Sequence, residues 1–455
     1  MMNNQNNDPH KILESSTMFH MSLGSKELFH SNFLHWISII NWEAFLEIMH
    51  GLARVDKFWW EKDDIVGPKK FHPDYLNVKV LREYHNFDLS IYIHYKEQKT
   101  DNEQNNEYPI DDYEDGSIED AGDMRGWIPV LILENKMKSL PYEEQLDKYT
   151  KKAFEEWARI MKDEARKIWP KPLEISGDDS NSITFILLSL MQPNLSNYEF
   201  DNPKEGSRPR YLLSLHSEWK HTTYNDLFGF LEDVVNVKHY SFKDLDRSII
   251  KDYCNFINAL CNIANSEDWM VNKDENYHAK IIENRTEESK LRIADIREKI
   301  IHERMLQILV DKLKRKGLQY MHWDKDYERK NKKDYETGIV YYQTSFSRGK
   351  GITEAFVIIN ENYRLMIQLQ NDQYRRCLIL HKISNESTDN RNNRMNNILK
   401  DLNKLWNNYN PQNSFGDYFK YSYEKIGKEK KVVKVLDKMA QDLSHIINFY
   451  YSKKI

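Results

Sequence analysis

The segment WIPVLILENK, residues 127 to 136, constrains this chain more than any other. It is a near-continuous apolar run of strand length, and such a run is stable only where both faces of the strand are covered. A sheet with layers on both sides follows, and with it a mixed α/β arrangement. The run ends in Glu134 and Lys136, two apart and so on one face of the strand, with Asn135 on the other. Pro141 comes next and opens an amphipathic segment that is expected to be helical from about Tyr142 to about Met161.

Other patterned stretches fill in the plan. From Ser25, SKELFHSNFLHWISII places Leu28, Phe29, Phe33, Leu34, Trp36 and Ile37 on one stripe at helical spacing, with Ser25 as a cap. YHNFDLSIYIHY alternates as a strand does, with Phe87, Leu89, Ile91 and Ile93 on one side and Asp88, Ser90, Tyr92 and His94 on the other. SITFILLSL (182 to 190) reads as a further buried strand, and HTTYNDLFGFLEDVV and SIIKDYCNFINALCNIA read as helices. The order α, β, β, α, β, α gives a mixed α/β domain over residues 12–270, after a polar tail, residues 1–11, that is expected to be disordered.

Past the polar stretch NSEDWMVNKDEN the pattern changes. A long helix over 287–316 is stopped by Gly317. GIVYYQTSF, TEAFVIIN, YRLMIQLQ and RRCLILHKI then read as four strands joined by short polar turns, and helices at 392–408 and 430–451 follow. Residues 276–455 are therefore expected to form a separate α+β domain with an antiparallel meander.

Composition narrows the function classes. At 455 residues the chain is too long for one ordinary domain. A hydrophobic share of 40% with 30% charged residues is that of a globular chain, and the apolar runs are too short to span a bilayer. The start MMNNQNNDPHK has no apolar stretch of the secretory kind, and Cys254, Cys261 and Cys377 show no paired metal spacing, so a cytoplasmic chain with reduced thiols is expected. The net charge of -5 argues against a surface that grips nucleic acid all over. The charge is uneven, however: residues 276–455 hold 35 Lys and Arg against 23 Asp and Glu, whereas residues 1–275 hold 31 against 48. Part of that excess is local, since residues 97–123 hold eleven acidic side chains beside the single base Lys99 and read as a long solvated loop.

A charged pair ending a strand is by itself usually the strand reaching solvent. Asp88 changes the weighing, because it sits between Phe87 and Leu89, where an unpaired carboxylate is costly. If the two strands are neighbours, Asp88, Glu134 and Lys136 converge. Two carboxylates at close range repel unless a cation lies between them, and Mg²⁺ takes such oxygen ligands while keeping several waters. An ammonium beside that cation suits metal-assisted hydrolysis of a phosphodiester. Gln145 and Tyr149, four apart, share a helical face that can look toward the strand end, although each is also an ordinary helix-surface or packing residue.

In this order, KELFHSNFLHW, FDLSI, LILENK and QLDKY resemble the PD-(D/E)XK nuclease superfamily, in particular a bacterial branch that opens with a segment like the first of these. The resemblance covers roughly residues 20–235, including EWKHTTYNDLFGFL, and departs from the family where Phe87 holds a place often taken by Pro. It implies a restriction-endonuclease-like mixed sheet core flanked by helices. It implies Asp88 and Glu134 as Mg²⁺ ligands, with Mn²⁺ as a substitute and the Asn135 carbonyl as a third donor. Lys136 would be the catalytic lysine, Gln145 a group that positions water or backbone phosphate, and Tyr149 a supporting residue. Glu27 matches a first-helix acid and Glu83 an acid upstream of the strand Asp; a surface or salt-bridge role is at least as natural for both. For His30 and Asn32 local hydrogen bonding is the expectation.

The resemblance thus points to a Mg²⁺-dependent nuclease acting on DNA, with RNA as the nearest variant and restriction or phage defence as the setting. Double-strand cutting by a one-site enzyme would favour a homodimer. The alternative is a catalytically silent protein of the same fold that binds or assembles, with a protein partner at the acidic insertion 97–123. In the C-terminal domain, bases cluster near aromatics in YERKNKKDY, so Lys330, Lys332 and Lys333 are candidates for nucleic-acid backbone contact; a lysine-rich solvated face is an equally good account.

Overall fold

The computed structural model describes residues 8–23, 26–58, 60, 76–95, 124, 127–137, 146, 148–155, 183–190, 219–236, 240–282, 286–323, 338–347, 350–381, 383, 386–406, 409, 411, 413, 414 and 416–451. The acidic insertion 97–123, Gln145, and Lys330, Lys332 and Lys333 lie outside the described residues. The chain divides into two compact units, Met1–Asn262 and Ile263–Ile455, so the polar stretch 265–276 belongs to the second. The class is mixed α/β, with two mixed sheets flanked by helices.

The first unit opens with α1 (Pro9–Ser15), α2 (Thr17–Ser22), α3 (Lys26–Ile40) and α4 (Trp42–Ala53). Order begins earlier than the polar composition suggests. Asp8 caps α1 by accepting the His10 amide at 3.0 Å, and Pro9 occupies the first turn, where its missing N–H costs nothing. The buried stripe of α3 runs through His30, Phe33, Leu34 and Ile37, so a histidine takes a place in the apolar face and Leu28 is only half-buried. α4 ends on Arg54 in the left-handed region (φ 56°), with the Val55 amide on the His50 carbonyl at 3.0 Å.

Five strands follow: β1 (Leu76–Arg82), β2 (Leu89–Tyr95), β3 (Ile128–Lys136), β4 (Thr184–Ser189) and β5 (Trp219–Thr223). They form one sheet in that order, antiparallel from β1 to β3 and parallel from β3 to β5. The central place of β3 explains its sequence, since Ile128 to Asn135 are all buried. Two of these strands, β1 and β5, and helices α1, α2 and α4 add to the expected α, β, β, α, β, α order. Residues His221 to Thr223 end β5 and do not open the next helix. Thr223 and Asp226 form a reciprocal cap, Thr223 N–H to Asp226 Oδ2 at 2.8 Å and Asp226 N–H to Thr223 Oγ1 at 3.2 Å, which starts α5 at Tyr224 (Tyr224–Asn236). α6 (Asp244–Ala264) carries the chain to the end of the unit at Asn262. α3 and α4 pack on one face of the sheet, while helical residues 148–155 pack on the other through Phe154 against Phe185.

The second unit holds α7 (Tyr277–Ile282), α8 (Thr286–Lys290), α9 (Ala294–Arg315), β6 (Tyr320–His322), β7 (Val340–Ser347), β8 (Lys350–Asn360), β9 (Tyr363–Gln370), β10 (Gln373–Leu380), α10 (Thr388–Leu405), β11 (Asn413–Ser414), β12 (Phe419–Lys425) and α11 (Val432–Tyr451). The sheet order is β11-β12-β10-β9-β8-β7-β6; β7 to β10 form an antiparallel meander, and β6 runs parallel to β7. The helix expected over 287–316 is broken at Arg292 (φ 58°), where the Ile293 amide reaches back to the Glu288 carbonyl at 2.9 Å and closes α8. Gly317 (φ 67°) ends α9. α9 and α11 cover one face of the sheet. Gly351 permits the close approach of α9, because a Cβ there would lie 2.3 Å from the His302 ring. Among the described residues no helix is long and apolar enough to cross a membrane.

Candidate active site

The site is built where β2 and β3 meet. Leu89 pairs with Leu133, so Asp88, one residue before β2, faces the last turn of pleat in β3. Its Oδ2 accepts the Asn135 amide at 2.5 Å, which fixes the carboxylate against the β3 backbone. Glu134 and Lys136 share a face, as their spacing requires, and Lys136 Nζ lies 2.5 Å from Glu134 Oε1. The Glu134 side chain is 2% exposed and the Lys136 side chain 15%, so the pair reaches from the interior to the surface. The structure therefore brings Asp88, Glu134, Asn135 and Lys136 together.

The opposite face of β3 is braced. The Tyr224 hydroxyl donates to Asn135 Oδ1, and the Tyr224 ring packs edge-on against His30 at 4.7 Å. His30 Nδ1 is 2.6 Å from the Tyr253 hydroxyl. Burial lowers the His30 pKa to about 3, so the ring is neutral at ordinary pH. Asn32 accepts from Arg82 Nη1 at the end of β1. The KELFHSNFLHW helix thus supports the β3 end from behind through His30 and Tyr224, and holds the end of β1 through Asn32.

The front face is set by the segment after the strand. Tyr149 packs its ring edge-on against Phe87 at 5.6 Å, the residue next to Asp88. Lys152 Nζ donates to the His85 carbonyl at 2.8 Å, and Trp219 Nε1 donates to Thr150 Oγ1 at 2.8 Å. Tyr149 is thus a packing residue one step behind the carboxylate. Between β1 and β2, Glu83, His85 and Asn86 all have positive φ (55°, 58° and 67°), an unusual density of left-handed non-glycine residues. Glu83 is exposed on this turn. Glu27 lies in the first turn of α3, and its side chain, like Gln145, is outside the described set.

Two polar residues on the same face of the sheet escaped the sequence reading. Parallel pairing gives one row of Glu134, Leu187 and His221 and the next row on that face of Lys136, Ser189 and Thr223, so Ser189 and His221 are diagonal neighbours. Ser189 Oγ is 2.7 Å from His221 Nε2. Burial, and then the Arg54 charge, lower the His221 pKa to about 4, with Asp226 opposing. Asp226 itself is held below the usual carboxylate range: burial would raise it, but the amide and hydroxyl of Thr223 and the Thr222 hydroxyl outweigh that. The available signal was period two within SITFILLSL and WKHTT, which puts Ser189 at the end of one strand and His221 in the middle of another; their adjacency needs the sheet order.

Asp88, Glu134 and the Asn135 carbonyl, the expected Mg²⁺ ligands, are all hard oxygen donors. Among the described residues no group of three or more His, Cys, Asp or Glu side chains is placed to hold a metal ion. Two carboxylates do not make a closed protein cage of the kind structural zinc or calcium needs; they fit Mg²⁺, which keeps waters and takes substrate phosphate oxygens. Cys254 and Cys261 are buried thiols pushed up to about 12 by that burial, and so are inert packing groups. No protein-family model, curated protein or solved structure matches the chain.

Proposed function

We propose that the chain is a Mg²⁺-dependent nuclease of the PD-(D/E)XK kind, hydrolysing phosphodiester bonds with DNA as the first substrate class. The observation that carries this reading is the Asp88 carboxylate bonded to the Asn135 amide, one residue from the Glu134–Lys136 pair. Asp88, Glu134 and the Asn135 carbonyl would hold the cation, which when bound neutralises phosphate charge and lowers the pKa of a coordinated water. Glu134 fixes the Lys136 ammonium on the same face, where it orients the attacking water and meets the developing phosphate charge. The Asn135 amide fixes the Asp88 rotamer, and Tyr149 keeps Phe87, and with it the approach to Asp88, in place.

A second reading, a silent protein of this fold that binds without cutting, is favoured by one feature: Glu134 and Lys136 already neutralise each other within the chain. Calorimetric titration with Mg²⁺ separates the two. The nuclease reading expects one binding event per chain that is lost in Asp88→Asn, a variant that keeps an acceptor for the Asn135 amide. Absence of Mg²⁺ binding in the wild type, with and without duplex DNA, favours the silent protein.

A further inference from the structure

The row that carries Lys136 continues across the sheet. Parallel pairing puts Ser189 beside Lys136, and adjacent strands lie about 4.8 Å apart. The Leu190 amide donates to the Lys136 carbonyl at 3.2 Å, extending the ladder past the strand and locking this register. Paired residues of a parallel sheet point to the same side, so the Ser189 hydroxyl and the Lys136 ammonium share one face. His221, two residues before the end of β5, holds that hydroxyl through Nε2 at 2.7 Å. Its own main chain is tied down, since Arg54 Nη2 donates to the His221 carbonyl at 3.3 Å.

We propose that the Ser189 hydroxyl, beside Lys136, donates to a non-bridging oxygen of the scissile phosphodiester and that His221 is the positioning residue that orients it. This rests on the nuclease reading. A serine hydroxyl carries one proton; with the His221 tautomer that bears its proton on Nε2, the imidazole donates to Ser189 Oγ and leaves the Ser189 O–H, its direction fixed, for the phosphate. Because burial keeps His221 uncharged, the pair adds a hydrogen bond to the phosphate without a second cation competing with Lys136 for Glu134. The donor direction is set in advance, which is the kind of arrangement that acts on the transition state more than on the bound substrate.

The test compares Ser189→Ala, His221→Leu and His221→Gln with wild type in steady-state cleavage, with thermal melting and Mg²⁺ titration on the same samples. The expected result is a kcat lowered about tenfold or more in Ser189→Ala and His221→Leu, with KM and Mg²⁺ affinity near wild type and part of the rate restored in His221→Gln. Unchanged kcat in Ser189→Ala, or losses that track only the fraction of folded protein, would overturn the assignment while leaving the nuclease reading intact. No metal-dependent cleavage by wild type would instead remove the nuclease reading and this inference with it.

Discussion

Each unit buries a glutamate in its sheet, and the two are handled in opposite ways. In the second unit Glu354 lies mid-strand, and the amides of Gln343 and Gln368 on the flanking strands both donate to it. Arg375 on β10 continues the ladder by donating to Gln368 Oε1 at 3.0 Å. The carboxylate is 5% exposed and is met by groups within the sheet itself. In the first unit Glu134 lies at a strand end, its partner is an ammonium that reaches the surface, and a second carboxylate arrives from the next strand. A buried charge solvated by amides in mid-sheet fixes strand register; a buried charge at a strand end, facing a connection, can meet a ligand.

The sharpest way to break this contrast is to remove the ammonium. Lys136→Ala takes the ammonium away from the buried Glu134 carboxylate, which is expected to cost about 3–5 kcal/mol in urea unfolding, whereas Glu134→Gln combined with Lys136→Met should recover most of it. If the single variant is as stable as wild type, Glu134 is not a buried partnered charge.

The next effect concerns His30, neutral behind the strand end with a folded pKa of about 3 against an ordinary 6.5. Between these values the unfolded chain binds a proton that the folded chain refuses, so stability falls as pH drops from 6.5 toward 3. At about 1.4 kcal/mol per pKa unit the full loss is on the order of 5 kcal/mol, and His30→Phe should flatten that slope in denaturation series across the window. An equally steep slope in the variant assigns the acid sensitivity elsewhere.

The smallest effect tests the mid-sheet carboxylate. Glu354→Gln leaves one flanking amide without its acceptor and should cost about 1–3 kcal/mol, with Mg²⁺ binding and cleavage unchanged. A change in either would mean that the second sheet is not solely structural.

Much of this was legible in the sequence. Continuous apolar runs gave β3 and β4, alternation gave β2, and the four strands β7 to β10 stood out between short polar turns. Edge and half-polar strands did not. β5 reads WKHTT, with its Thr residues buried by parallel pairing and not by apolar character, and the cap at Thr223 made its end look like a helix start. β12 alternates only weakly and leaves Tyr423 exposed. The break at Arg292 is invisible to periodicity because Leu291 and Ile293 are buried on both sides of it. For the site, residues two apart in one strand were readable, as was the isolated Asp88. Ser189 and His221 were not, because their meeting depends on which strands become neighbours.

The most direct measurement is cleavage itself: purified chain with Mg²⁺ or Mn²⁺ against supercoiled plasmid, linear duplex, single-stranded DNA and RNA, beside Asp88→Asn and Lys136→Met. The account expects metal-dependent cutting, strongest on DNA, that both variants lose while their melting curves still show a folded chain. Cutting that survives in both variants would contradict it, since the strand-end carboxylate and lysine would then not be the groups that hydrolyse the phosphodiester.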